Sequence, residues 1–143
     1  NRLVLEEGEQ TQTIEGIGMT SSALQFALCQ SVPAGPGKDP VIRVFPAWPK
    51  EWDAQYTLLC RRGFLITSSI QKGQIEFVEI TSQLGEECVL RNPWDKATVV
   101  LYRDGKEDQR ISGSMLKFDT CKGEHILITP EDSSPVQFQH QVP

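Results

Sequence analysis

Three sets of side chains in this sequence could carry chemistry or recognition: one carboxylate in an unusual setting, three tryptophans and four cysteines. Glu15 sits in the run Ile14-Glu15-Gly16-Ile17-Gly18, where small residues allow close backbone approach and give little polar company. Burial of that kind raises a carboxyl pKa and suits general acid or base work. A lone acid is not an active site, however, and no serine, histidine and aspartate set accompanies it. His125 and His140 fall in the last expected strand and the tail, where each reads as an ordinary edge or surface residue.

The tryptophans offer a different kind of contact. Trp48 and Trp52 belong to the stretch Val41 to Trp52, VIRVFPAWPKEW, an apolar strand running into a proline-rich loop. Pro46 and Pro49 fix their own backbone and are expected to push Phe45 and Trp48 into extended conformations, so the loop is stiff before it meets anything. Trp48, Trp52 and Trp94 could stack on sugar faces. They could equally bury their rings against a neighbouring element, with only the indole N–H needing a partner. Burial is the commoner fate of large aromatics in a connection that covers a sheet end.

Cys29, Cys60, Cys88 and Cys121 are too far apart in sequence for a Cys-x-x-Cys metal or redox pair. Three of them lie in apolar contexts, where a free thiol acts as a small hydrophobe. Reduced structural cysteines are the expectation, with one disulfide as the alternative in an oxidising compartment. Glu15-Gly16-Ile17-Gly18 lacks the spacing and preceding strand of a nucleotide fingerprint. The acidic pairs Glu6-Glu7, Glu86-Glu87 and Glu131-Asp132 read as solvated. No metal site and no cofactor is expected.

The elements that must position these residues change character along the chain. Arg2 to Glu7 reads as a short strand or arm, and Gly8 to Thr13 as a polar linker. TSSALQFALCQS then predicts a helix over Thr20 to Gln30, with hydroxyl caps at its start and Pro33 stopping it. Six of the seven positions from 23 to 29 are apolar. A helix apolar on nearly every side must be covered on nearly every side, and one small β domain covers only part of it.

Beyond a Pro/Gly-rich connector at 31–40, short strands alternate with turn signals at roughly eight-to-twelve-residue intervals, the rhythm of an antiparallel β-sandwich. The expected strands are Tyr56 to Arg61, Gly63 to Ile70, Gln74 to Ser82, Glu87 to Arg91, Thr98 to Arg103, Gln109 to Ser112, Met115 to Asp119 and His125 to Thr129. Lys72-Gly73 and Asp104-Gly105 are candidate tight hairpins. The apolar phase slips by one between Phe77 and Val78, and a β-bulge there would restore inward pointing. The fold class is therefore mainly β: an antiparallel β-sandwich with one N-terminal helix, divided into residues 1–39 and a sandwich at 40–143.

A chain of 143 residues can bury a real core without staples. Its net charge of −5, with 14 Lys and Arg, argues against nucleic acid or an anionic membrane as partner. The apolar runs are far too short to span a bilayer. The sequence starts at Asn1, with no charged-then-apolar signal, which reads as a fragment or a processed product.

The Pro46-Ala47-Trp48-Pro49 loop after Ile42, then Cys60-Arg61-Arg62-Gly63-Phe64-Leu65-Ile66 and Cys88-Val89-Leu90-Arg91-Asn92, resembles the C-terminal region of glycoside hydrolase family 95, the α-L-fucosidase family. The likeness runs through most of the chain up to Trp94; residues 95 to 143 match only in being β-like. Glu15 to Ser31 looks like the family's segment in which an acidic residue and a glycine lead into the last helix of a catalytic (α/α) barrel. The resemblance implies that residues 1–39 are the arm and last helix of a missing helical-barrel catalytic domain. It also implies a parent, periplasmic or secreted, that hydrolyses terminal fucosyl or galactosyl residues of oligosaccharides with inversion. Such hydrolysis sets a general acid and a water-activating base on opposite sides of the bond. The position resembling Glu15 is aspartate in the family as a class and is tied to water activation; here it is glutamate, one methylene longer.

Two readings of different classes follow. The chain is an accessory C-terminal sandwich, inactive alone, whose partner is the upstream catalytic domain. Alternatively it is a free-standing carbohydrate-binding module using exposed Trp48 and Trp52. In the isolated chain either self-association through the helix, or a helix shifted onto the sandwich to hide part of its surface, is expected. Solvent-facing, coplanar tryptophans would favour the module, and tryptophans buried against the sheet the accessory reading.

Overall fold

The computed structural model describes residues 14–133, with the backbone alone at 14 and 15. The expected arm, linker and His140 lie outside the described residues. Helix α1 covers Ile14–Leu28 and is followed by ten strands: β1 Cys29–Pro33, β2 Pro40–Val44, β3 Ala54–Cys60, β4 Phe64–Gln71, β5 Gln74–Ser82, β6 Cys88–Arg91, β7 Val99–Arg103, β8 Lys106–Ile111, β9 Met115–Phe118 and β10 Glu124–Pro130. They form a four-stranded sheet, β1-β2-β6-β9, and a six-stranded sheet, β3-β4-β5-β10-β7-β8. This is the expected mainly-β sandwich with one N-terminal helix. Its pairings are antiparallel except for β2 and β6, which run parallel through Ile42 and Leu90.

The core between the sheets follows from period-two patterning. From the larger sheet Phe64, Ile66, Val78, Ile80, Leu101, Ile126 and Ile128 point inward, and from the smaller sheet Ile42, Val44, Leu90, Leu116 and Phe118. Lys72 and Gly73 have φ of 49° and 76°, and Asp104 and Gly105 of 48° and 77°. Two consecutive left-handed residues make the tight turn whose twist matches the flanking strands, so both expected hairpins form. The bulge also exists, one residue earlier than expected: Ser69 pairs with Phe77 but Ile70 with Ile75, leaving Glu76 unpaired. The Ser69 hydroxyl donates to the Glu76 carboxylate at 2.8 Å, giving the displaced side chain a partner.

Three local expectations are corrected. The helix starts at Ile14 instead of Thr20, and Thr20 is not a cap; its hydroxyl donates back to the Gly16 carbonyl at 2.9 Å. Such i−4 bonding lets a hydroxyl sit inside a helix. The helix ends at Leu28, because Cys29–Pro33 pairs residue for residue with Val44–Pro40. The sandwich therefore takes in strand β1 on the N-terminal side of residue 40, and the Pro/Gly connector is a hairpin loop within one sheet. Phe45, expected to be extended before Pro46, has φ of 49°. Its ring packs edge-on to Tyr56 at 5.1 Å and its N–H donates to the Leu28 carbonyl at 2.6 Å. Burial of a large ring and a backbone bond outweigh about 1–3 kcal/mol of backbone strain.

Among the described residues no helix is long and apolar enough to cross a membrane.

Candidate functional site

The proline loop lies between β2 and β3, and its tryptophans sit differently. Trp48 is half-buried and packs against the core, donating its indole N–H to the Trp52 carbonyl at 2.9 Å. Trp52 is 61% exposed. The two rings meet edge to face, with centroids 5.9 Å apart and planes at 76°, so they do not share a plane. Trp94 is a packing residue: its indole N–H donates to the Ile75 carbonyl at 2.8 Å. Neither of the two arrangements expected for the tryptophans holds throughout, since one ring is exposed and the other is not.

Pro46 and Lys50 from this loop wall a cleft of about 450 Å³ whose other side carries Arg43, Arg91 and Asp95. Parallel pairing of Ile42 with Leu90 makes the following residues, Arg43 and Arg91, neighbours on the outer face of the smaller sheet. The linear sequence gives no sign of this, because the two lie 48 positions apart. Asn92, at the end of β6, serves the fold: its amide donates to the Ala97 and Gly113 carbonyls at 3.0 and 2.9 Å, and its oxygen accepts the Trp94 N–H. The cleft holds a single carboxylate, Asp95, and hydrolysis by two opposed carboxyl groups needs a second.

Glu15 lies in the first turn of α1, and its side chain is outside the described residues. His125 is exposed on the face of β10, an interior strand of the larger sheet, with Nδ1 3.1 Å from the hydroxyl of Thr81 on the adjacent β5, so it is a surface residue and not an edge one. Elsewhere carboxylates serve as structural partners. Arg103 bridges Glu124 at 2.7 Å and Asp108 at 2.9 Å while donating to the Asp119 carbonyl, which ties β7 to the β8 and β10 ends. Partial burial pushes the Glu124 carboxyl up, but bonds from Arg103 and the Cys121 N–H outweigh it and hold the group below its ordinary value.

The exposed surface of α1 is the largest departure from ordinary patterning. Ile17, Met19, Leu24 and Phe26 are 43%, 66%, 50% and 53% exposed, and among the described residues of the helix only Gly16, Thr20, Ala27 and Leu28 are wholly or partly covered. Below that turn a second cleft, of about 380 Å³, runs between the helix and the sheet edge and is lined by Gln25, Phe26, Cys29, Ser31 and Cys60. All four cysteines are free, with Cys29, Cys60 and Cys88 buried and Cys121 exposed. No protein-family model matches this chain, and a search of curated proteins finds no match.

Proposed function

We propose that this chain is the accessory C-terminal β-sandwich of a periplasmic or secreted glycoside hydrolase of the α-L-fucosidase type, inactive alone, with α1 at the interface to an upstream catalytic domain. The observation that carries the reading is the uncovered apolar surface of α1. A 15-residue helix containing Gly16 and Gly18 is marginal in water by itself, since each interior glycine costs about 1 kcal/mol relative to alanine. Four large apolar side chains in solvent add a further cost, and a covering body removes both. The sugar class, fucosyl or galactosyl ends of oligosaccharides, rests on the sequence resemblance, and so does the role of Glu15 in activating water.

Exposure of Trp52 favours a second reading, a carbohydrate-binding module. The perpendicular rings of Trp48 and Trp52 weigh against it, because a sugar face needs a flat platform.

Light scattering and fucosidase and galactosidase assays on the purified chain test the proposal together. Self-association abolished by Phe26→Glu, with no turnover, supports it. A strict monomer whose stability Phe26→Glu leaves unchanged, or turnover lost on Glu15→Ala, would overturn it. Quenching of tryptophan fluorescence by a fucosyl oligosaccharide, abolished by Trp52→Ala, would move the assignment to the binding module.

A further inference from the structure

Strands β1 and β3 are the edges of their respective sheets, and they meet along one side of the sandwich. Two contacts close that seam. The Arg61 N–H donates to the Ser31 hydroxyl at 2.9 Å, and the Cys29 and Cys60 sulfurs lie 3.4 Å apart. Both thiols are 7% exposed, and both line the floor of the cleft beneath α1. A core cysteine pair with no route to solvent would be inert; this pair has one.

We propose that Cys29 and Cys60 form a redox-closable pair whose disulfide staples the two sheets together at the β1–β3 seam and fixes the point where α1 enters the sandwich. A disulfide sulfur separation is about 2.05 Å, so closure needs the sulfurs to approach by roughly 1.4 Å, a distance that side-chain rotation supplies between strands already in contact. Cys29 follows the last residue of α1 directly, so the bond anchors the helix exit to the larger sheet as well as joining the sheets.

The chemistry is thiol–disulfide exchange with an external disulfide as oxidant. Either sulfur can donate across the 3.4 Å contact; with Cys60 donating, the Cys29 thiolate is favoured against burial, and Cys29 is then the attacking group. The thiolate attacks one sulfur of the oxidant, forming a mixed disulfide and releasing one thiolate, which takes up a proton. Cys60 then loses its proton and attacks the Cys29 sulfur, expelling the second thiol. Two protein thiols are oxidised and one external disulfide is reduced to two thiols. Cys88 shares the core, where burial and the neighbouring Glu87 charge push its thiol up to about 12, but unlike Cys29 and Cys60 it does not line the cleft beneath α1.

The test uses the full chain carrying Cys121→Ser, which removes the exposed thiol and leaves three. Incubation with oxidised glutathione, denaturation and thiol counting should show three falling to one, with no glutathione mass retained. Peptide mapping should find Cys29 joined to Cys60. The closed form should melt at a higher temperature than the reduced form, and dithiothreitol should reverse the change. Cys29→Ser and Cys60→Ser should each abolish the shift; where either variant fails to fold, the mapping of the Cys121→Ser chain decides alone. Three thiols persisting under excess oxidant, a stable glutathione adduct on one cysteine, or a bond between Cys60 and Cys88 would each overturn the proposal. This inference is independent of the hydrolase reading, since it concerns only the seam.

Discussion

Trp48 donates its indole N–H to the carbonyl of Trp52 across 2.9 Å, so the proline loop is closed by its own aromatic residue and not by a ligand. Pro46 and Pro49 stiffen the chain, and Trp48 locks it onto the core. Trp48→Ala should therefore cost about 2–3 kcal/mol in urea unfolding through lost burial and a lost bond, whereas Trp52→Ala should stay within about 1 kcal/mol. Equal costs would mean that the exposed ring is also part of the core support.

The Arg103 cluster predicts a pH dependence. The folded Glu124 carboxyl lies below its ordinary value of 4.5, so its contribution is present above that pH and disappears as pH falls through the folded value. Glu124→Gln should lower stability by about 1–2 kcal/mol at neutral pH. The difference from the unaltered chain should shrink steadily below about pH 4.5, as measured by urea midpoints across an acid series. A constant difference down to acid pH would assign the loss to packing instead.

Gly85 has φ of 78°, and a Cβ added there would come within 2.8 Å of the Lys122 backbone nitrogen. Its own N–H donates to the Ser82 hydroxyl, which lies 2.7 Å from the Thr120 hydroxyl, and Thr120 in turn donates to the Glu86 carbonyl. Gly85→Ala combines conformational strain with a backbone clash that cannot rotate away. A loss of about 2–3 kcal/mol is expected by thermal or urea unfolding.

The buried hydroxyls predict an asymmetry on β4. Ser68 is fully buried and donates to the Phe77 carbonyl at 2.7 Å, next to the bulge at Glu76. Ser68→Ala should cost about 1 kcal/mol, and Ser68→Val more, because the added methyl groups enter a packed core. Equal stability of the valine variant would show spare volume at that point.

Most strands were legible because period-two alternation and turn chemistry are local. Residues Gln74 to Ser82 form β5 at the expected bounds, and Lys72-Gly73 and Asp104-Gly105 turn as their types require. The β1 strand was not legible. Cys29 to Pro33 continues the apolar character of the helix, and only pairing with β2 makes extended backbone the better state there. The site was harder still: the sequence singled out Trp48 and Trp52 but gave no relative orientation, and it allowed one disulfide as an alternative without showing which cysteines meet.

By itself, then, the sequence determined the fold class, the hairpins and the presence of an apolar helix larger than one sandwich can cover, since all three depend on neighbours within a few residues. Tertiary structure alone decided that Trp48 and Trp52 stand perpendicular, that Arg43 neighbours Arg91 and that Cys29 meets Cys60. The last two depend on which strand edges come together. Strand pairing is fixed by summed burial over the whole core, in which residues 31 positions apart count as strongly as adjacent ones.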